Sequence, residues 1–235
     1  MVEGDIDGYR ALFVGDGKAS VLESAAKRAD VVQYILVLLG DLLDGEYSCV
    51  VLFNTTNELA YTGIPALSKA LADHPDPYKP LLPFLTQSNE LDSPIPLLTS
   101  TVLASIISGA PASSKQTETA LPKLLSYLSA LTKVSDGGLQ DIAVLQYSTI
   151  LRGKKSRELF WAQRSETVGP LVDILRSAAG VSNGDASTLW SGATSIRSAE
   201  GALGGGVGLQ LLYHVLLVLW QVSFEGAAIG EEFDE

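Results

Sequence analysis

Two histidines, one cysteine and a shortage of cations limit the chemistry open to this 235-residue chain. The lone Cys49 excludes an internal disulfide and any multi-cysteine metal site, and it fits a reducing compartment, the cytosol by default. His74 lies in a proline-rich turn and His214 inside an apolar run, so a metal site would lack its other ligands. His214 is expected instead to be a hydrogen-bonded core or groove residue. No GxSxG, HExxH or CxxC pattern occurs, and no residue is assigned a catalytic, cofactor-binding or metal-binding role. Lys and Arg number 16 against 27 Asp and Glu, a net charge of -11, which denies the chain the global basic footprint that nucleic acid requires. The opening "MVEGDIDGYR" has no apolar core and is neither a signal nor a transit peptide. Asn54 opens a formal "NTT" glycosylation acceptor, which carries no weight in a cytosolic chain.

One stretch has no charge at all: "GALGGGVGLQLLYHVLLVLWQVSF", from Gly201 to Phe224. A membrane span needs about 20 mainly apolar residues with cationic flanks. Here Gln210, His214 and Gln221 interrupt the run and its flanks are acidic, so direct membrane insertion is not expected. As a phosphate loop, "GGGVGL" puts Leu209 where the last glycine should fall and follows no strand. Another partial match, "VGDGKAS" at 14–20, has Ala19 where Mg²⁺ chemistry wants Ser or Thr. Both read as turns before helices. A buried helix remains, and a single domain buries such a helix only among other helices.

The rest of the chain supplies them. From Ser20, "SVLESAAKRADVVQYILVLLGDLLDG" opens with a Ser20–Glu23 capping box, continues with helical apolar spacing from Val31 to Leu43, and is expected to stop at Gly45. A phrase then recurs: "KPLLPFL", "LPKLLSYL" and "GPLVDIL", with Pro80, Pro122 and Pro170 separated by 42 and 48 residues. These intervals bracket HEAT and armadillo periods, and each proline suits the first turn of a helix. A more apolar helix follows each phrase: "SPIPLLTSTVLASIISG", "GGLQDIAVLQYSTILRG" and "VGLQLLYHVLLVLWQVSFEG". The expected fold is an all-α, armadillo/HEAT-like helical-repeat solenoid, a right-handed superhelix whose inner helices are covered by neighbouring repeats. Residues 180–207, rich in glycine and serine, form a long connection expected to be mobile.

"GLQLLYHVLLVLWQVSFEG", "LFWAQRSETVGPLVDILRSAAG" and "SDGGLQDIAVLQYSTILRGKKSRELFW" resemble the H subunit of the vacuolar-type proton ATPase (V-ATPase) in its fungal form. The run from Ser135 to Gly226 is the specific part, and the order Gln210, Tyr213, His214, Trp220, Phe224 sharpens the match. The resemblance implies a non-catalytic regulatory component of the V1 sector, held peripherally on the cytosolic face of the vacuolar membrane. It implies docking on peripheral-stalk subunits E and G, with subunit a of the membrane sector as a further partner, and no cofactor. It also implies that residues 1–235 are part of an N-terminal repeat domain, without the C-terminal domain that restrains ATP hydrolysis. Residues 46–63, "EYSCVVLFNTTNELAYTG", read locally as a strand amid helices and are expected to be an insertion, a translated intron in the gene.

Within this frame the partner-binding residues are expected in two groups. Arg152, Lys154, Lys155 and Arg157, followed by Arg164, form a basic cluster in an acidic chain. They either complement a helix dipole at its C-terminus or dock acidic helices of a stalk subunit. In the docking case, reversing Lys155 and Arg157 is expected to weaken binding without lowering the melting temperature. The alternative function is a generic armadillo adaptor that binds extended peptides through polar inner-helix residues, Gln146, Tyr147, Gln210 and Tyr213.

Overall fold

The computed structural model describes residues 13–14, 19–52, 71, 74, 76–86, 93–110, 115–179 and 207–225. Among these there are nine α-helices and no strand: α1 (Val21–Ser24), α2 (Ala29–Leu52), α3 (Leu82–Leu85), α4 (Pro94–Gly109), α5 (Lys115–Thr132), α6 (Gly137–Ile150), α7 (Lys154–Ala162), α8 (Arg164–Ala178) and α9 (Leu209–Val222), closed by a 3-10 turn at Ser223–Glu225. The chain divides into two compact units, Met1–Leu124 and Leu125–Glu235, each with its own apolar interior.

In the first unit the capping box forms as expected. Ser20 Oγ accepts from the Glu23 N–H at 3.1 Å, and Glu23 Oε2 accepts from the Ser20 N–H at 2.9 Å. The long helix expected from Ser20 is nevertheless broken after one turn, because Ala25–Arg28 form tight turns before α2 starts. The apolar geometry accounts for the break. At 100° per residue a straight helix would place Leu22 about 80° from the stripe of Val32, Ile35, Leu36, Leu39 and Leu43. The turn lets all six be buried. At its other end α2 does not stop at Gly45 but runs to Leu52. The strand expected from residue 46 is therefore helical over 46–52: an established helix adds a hydrogen bond for each residue it fixes, which outweighs the β preference of two valines. Residues 53–63 lie outside the described residues.

The apolar helix α4 packs against both α2 and α3. It starts at Ser93, with Pro94 in the first turn, and buries Val102, Leu103, Ala104, Ile106 and Ile107. Tyr78, fully buried beside α3, shares a 2.9 Å hydrogen bond with Thr117 of α5. Burial pushes its pKa up, the Thr117 hydrogen bond opposes this, and the Asp76 charge adds a small further rise.

The second unit contains α6 to α9 and the C-terminal half of α5. Asp136 caps α6, its Oδ1 accepting from the Gly138 and Leu139 N–H groups at 2.8 and 3.0 Å. Gln140 reaches back to donate to the Thr132 and Val134 carbonyls at the end of α5. The short α7 turns directly into α8, and Thr167 Oγ1 ties the two by donating to the Phe160 and Gln163 carbonyls at 2.9 and 3.0 Å.

The recurring prolines are not all where they were expected. Pro80 sits in a turn before α3, whose first-turn proline is Pro83. Pro122 and Pro170 lie inside α5 and α8, because polar residues upstream, "KQTETA" and "RSETVG", begin those helices one to two turns earlier. An internal proline has no N–H for the carbonyl four residues back. For Pro170 that carbonyl is Glu166, and Ser129 Oγ of α5 donates to it at 2.7 Å. Lys133 pairs with the Glu166 carboxylate on the same seam.

This substitution of donors predicts a coupling. Ser129→Ala should cost about 1–2 kcal/mol of unfolding free energy, since it leaves the Glu166 carbonyl short of a donor. In a Pro170→Ala background, where the helix regains that bond, the same change should cost clearly less. Chemical denaturation of the four variants measures the difference, and strict additivity would contradict the coupling.

Candidate functional site

The sequence-predicted partner residues all fall in the second unit, on the α6–α7 turn, the α8 start and the α6–α9 pair. The α6–α7 turn is built by Arg157. From the first turns of α7 its guanidinium donates to the Leu151 and Arg152 carbonyls, both at 3.0 Å, where α6 ends. Its Nε also donates to Glu225 at 2.8 Å, and the two side chains are only 16% and 14% exposed. Arg157 thus closes α6 and ties it to the turn after α9. The expectation that reversing Arg157 would spare stability is corrected: a glutamate there would face Glu225 and abandon two carbonyls.

The other cluster members point outward. Lys154 and Lys155 approach Glu158 only at 4.0 and 3.9 Å, at exposed positions where such pairs contribute little. Arg152 is exposed, and Arg164 lies over the Trp161 ring, 5.6 Å from its centroid. A shallow groove runs from Trp161 and Arg164 along Val168 and Val172 to Arg176. Of the two alternatives for the cluster, the helix-end role belongs to Arg157, while Lys154, Lys155 and Arg164 remain on the surface.

The inner-helix residues also separate. Gln146 and Tyr147 are buried, facing the core rather than a groove, which corrects their assignment as peptide-binding residues. The helical period places positions 143, 144, 147 and 150 on one buried face of α6. Tyr147 packs edge-on against Phe160, with ring centroids 5.0 Å apart. Its hydroxyl closes no hydrogen bond. Burial pushes the pKa of that hydroxyl well above its ordinary value, and the neighbouring Thr132 hydroxyl offsets this only in part.

Gln210 and Tyr213 lie on the open side of α9. Gln210 donates to Asp141 Oδ2 at 3.0 Å, and His214 Nδ1 meets Asp141 Oδ1 at 2.6 Å. Two helical turns further on, Gln221 donates to the Ser148 carbonyl at 3.0 Å. These contacts ascend together along both helices, so α6 and α9 run parallel with a polar seam between them. Beside the seam, α9 exposes Leu209, Tyr213, Leu216, Trp220 and Phe224. The sequence pattern marked α9 as wholly buried; its charge-free composition hid the fact that one face is open.

Among the described residues no group of three or more His, Cys, Asp or Glu side chains could hold a metal ion. No described helix is long and apolar enough to cross a membrane. The "VGDGKAS" loop from residue 15 to 18 and the glycine- and serine-rich connection from residue 180 to 206 lie outside the described residues, while Val207 is buried against the second unit's interior.

Alternation of an outer helix with a more apolar inner one, as in α3–α4, α5–α6 and α8–α9, defines an all-α helical-repeat protein. The chain belongs to the V-ATPase H subunit family, whose family model matches residues 1–235. Comparison with curated proteins and with solved structures returns no match.

Two outcomes follow from this geometry. Arg157→Ala should lower unfolding free energy by about 2–3 kcal/mol, because it strands a nearly buried Glu225 carboxylate and two helix-end carbonyls, and Arg157→Glu should lower it further. Thermal and urea unfolding would measure both. Tyr147 and Tyr78 have folded pKa values raised above the ordinary tyrosine value of about 10. The folded state therefore binds more protons above that pH. Their contribution to stability is intact below about pH 10 and is lost as the pH rises from there towards the folded pKa. Tyr147→Phe should leave stability at neutral pH unchanged or up to about 1 kcal/mol higher, since the hydroxyl is unpaired. It should also flatten the alkaline decline in a pH series of denaturant melts.

Proposed function

We propose that this chain is a non-catalytic regulatory and scaffold component of the V1 sector of the vacuolar proton-transporting ATPase. It docks on the peripheral stalk formed by subunits E and G, neighbours subunit a of the membrane sector, and sits on the cytosolic face of the vacuolar membrane. In that place it supports ATP-driven proton pumping and organelle acidification. Membership of the H subunit family supports the complex. The observation that carries the docking mode is the charge of the α6–α8 edge. From Leu151 to Ala178 the cations Arg152, Lys154, Lys155, Arg157, Arg164 and Arg176 outnumber the acids Glu158, Glu166 and Asp173, in a chain whose net charge is -11. Such a local reversal of sign steers an acidic helix to one edge and fixes its register.

Lys154, Lys155 and Arg164 are the residues assigned to the partner, and Arg157 supports them from behind. Reversing Lys154 and Lys155 together to Glu should weaken binding to a purified E–G heterodimer by roughly tenfold at low salt, about 1.4 kcal/mol. The difference should shrink as salt rises, while the melting temperature stays within a degree or two, because Lys154 is exposed and Lys155 partly so. Calorimetry or surface plasmon resonance at two ionic strengths measures this. Unchanged affinity would remove the basic edge from the interface, and ATP turnover by the purified chain above background would contradict the non-catalytic assignment.

A further inference from the structure

On α8, Thr167, Pro170, Leu171 and Ile174 are buried, and two rows at four-residue spacing remain on the open side. One row is Arg164, Val168, Val172 and Arg176; the other is Ser165, Gly169 and Asp173. Between them lies the shallow groove that begins at Trp161 of α7. Rows of this spacing are the ridges that interdigitate when two helices cross at about 50°. The groove therefore has the shape that a ridge of a second helix fills.

Gly169 stands at the middle of that groove, and packing within the chain does not ask for a glycine there. A β-carbon at this position would come within 4 Å of no other part of the chain. The proline that follows does not demand a glycine either. Leu121 precedes Pro122 inside α5 just as Gly169 precedes Pro170 inside α8, so a mid-helix proline in this protein accepts a β-carbon before it. Inside a helix, glycine is the least favourable residue after proline. What it does supply is close approach: with no β-carbon at the crossing, a second helix axis can come to about 8 Å, the near end of the usual range.

We infer that this groove seats one α-helix of the acidic partner, which crosses α8 at Gly169 with small residues at the crossing and acidic residues at the two ends of its contact row. The inference rests on the stalk-docking reading above and narrows it from a charged edge to a contact point. Charge selects the ends. The lining carries Arg164 and Arg176 against a single acid, Asp173. Arg176 donates to that acid at 3.2 Å, but both side chains are more than half exposed, where such a pair contributes little and can be exchanged. Trp161 holds the Arg164 guanidinium at the other end of the groove. Lysine or arginine on the partner would meet cations at both ends, and glutamate or aspartate would pair with them. Shape selects the helix. Val168, Gly169 and Val172, in the middle, offer no side-chain donor or acceptor, so an extended peptide laid there would leave backbone groups unpaired, whereas a helix pairs its own.

The probes are two synthetic helical peptides of about 20 residues, 30 Å of helix, with alanine along one four-residue row and either glutamate or lysine at the ends of that row. Fluorescence anisotropy with the full chain should show the Glu-ended peptide binding at least roughly tenfold tighter than the Lys-ended one. Gly169→Leu should weaken that binding roughly tenfold or more, with circular dichroism and melting temperature close to those of the unaltered chain. Arg164→Glu with Arg176→Glu should invert the preference towards the Lys-ended peptide, which reads the charge selection without touching the glycine. Equal binding of the two peptides by the unaltered chain, or full affinity in the Gly169→Leu chain, would overturn the proposal. So would a marked fall in the melting temperature of the Gly169→Leu chain, because the glycine would then serve the fold. The purified E–G heterodimer separates this proposal from the reading it rests on. Peptide binding that obeys these rules without any binding of E–G would uphold the groove and remove the stalk assignment. E–G binding that Lys154→Glu with Lys155→Glu weakens and Gly169→Leu does not would uphold the stalk edge and remove the groove.

Discussion

Asp141 is the single carboxylate to which the second unit's inner helices are keyed. One oxygen takes Gln210 and the other takes His214, so an acid in the second turn of α6, together with the Gln221–Ser148 contact, fixes the register of α9. A shift of α9 by one residue would rotate it by 100° and carry the Leu209–Phe224 stripe off the open side. Apolar packing alone tolerates such slips, because leucine-rich faces fit one another in several ways. Polar pairs at fixed positions do not, which is the specificity that directed hydrogen bonds add to a hydrophobic core.

The same logic holds where the helices are imperfect. Pro170 leaves a carbonyl without its donor, and a serine from α5 supplies one. Arg157 serves the open end of α6 and the Glu225 carboxylate at once. In each case a defect of one helix is corrected by a neighbour in space, so the interruptions bind the helices to one another. The unpaired hydroxyl of Tyr147 has no such correction, one of four buried side-chain atoms among the described residues without a partner, and its ring fills the space against Phe160.

Much of the fold was legible in the sequence because helix formation leaves local marks. The Ser20–Glu23 capping box and the three apolar inner helices follow from spacing and caps within a few residues of each other. What was not legible is non-local or competitive. The break at Ala25–Arg28 depends on burying Leu22 together with the α2 stripe that packs against α4, which no local window contains. The "SCVV" stretch has strand propensity but continues a helix already under way. The basic cluster was visible as composition, yet the fate of Arg157 rests on Glu225, 68 residues further on. The open face of α9 was hidden for the opposite reason: a charge-free run gives the same hydropathy whether its last side is buried by the chain or by another molecule.

The seam and the Arg157–Glu225 pair join residues separated by 68 to 73 positions. Once those contacts form, the position of α9 is set by α6 and α7 and owes little to the path the chain takes from Ala178 to Leu209. Lengthening a connection costs free energy only logarithmically, about 0.6 kcal/mol for each doubling. The register of α9 is therefore tied to its partners on α6 and α7 far more strongly than to the number of residues that precede it. For an experimenter the same property makes that path the place to insert a label or an affinity tag between two helices without disturbing either.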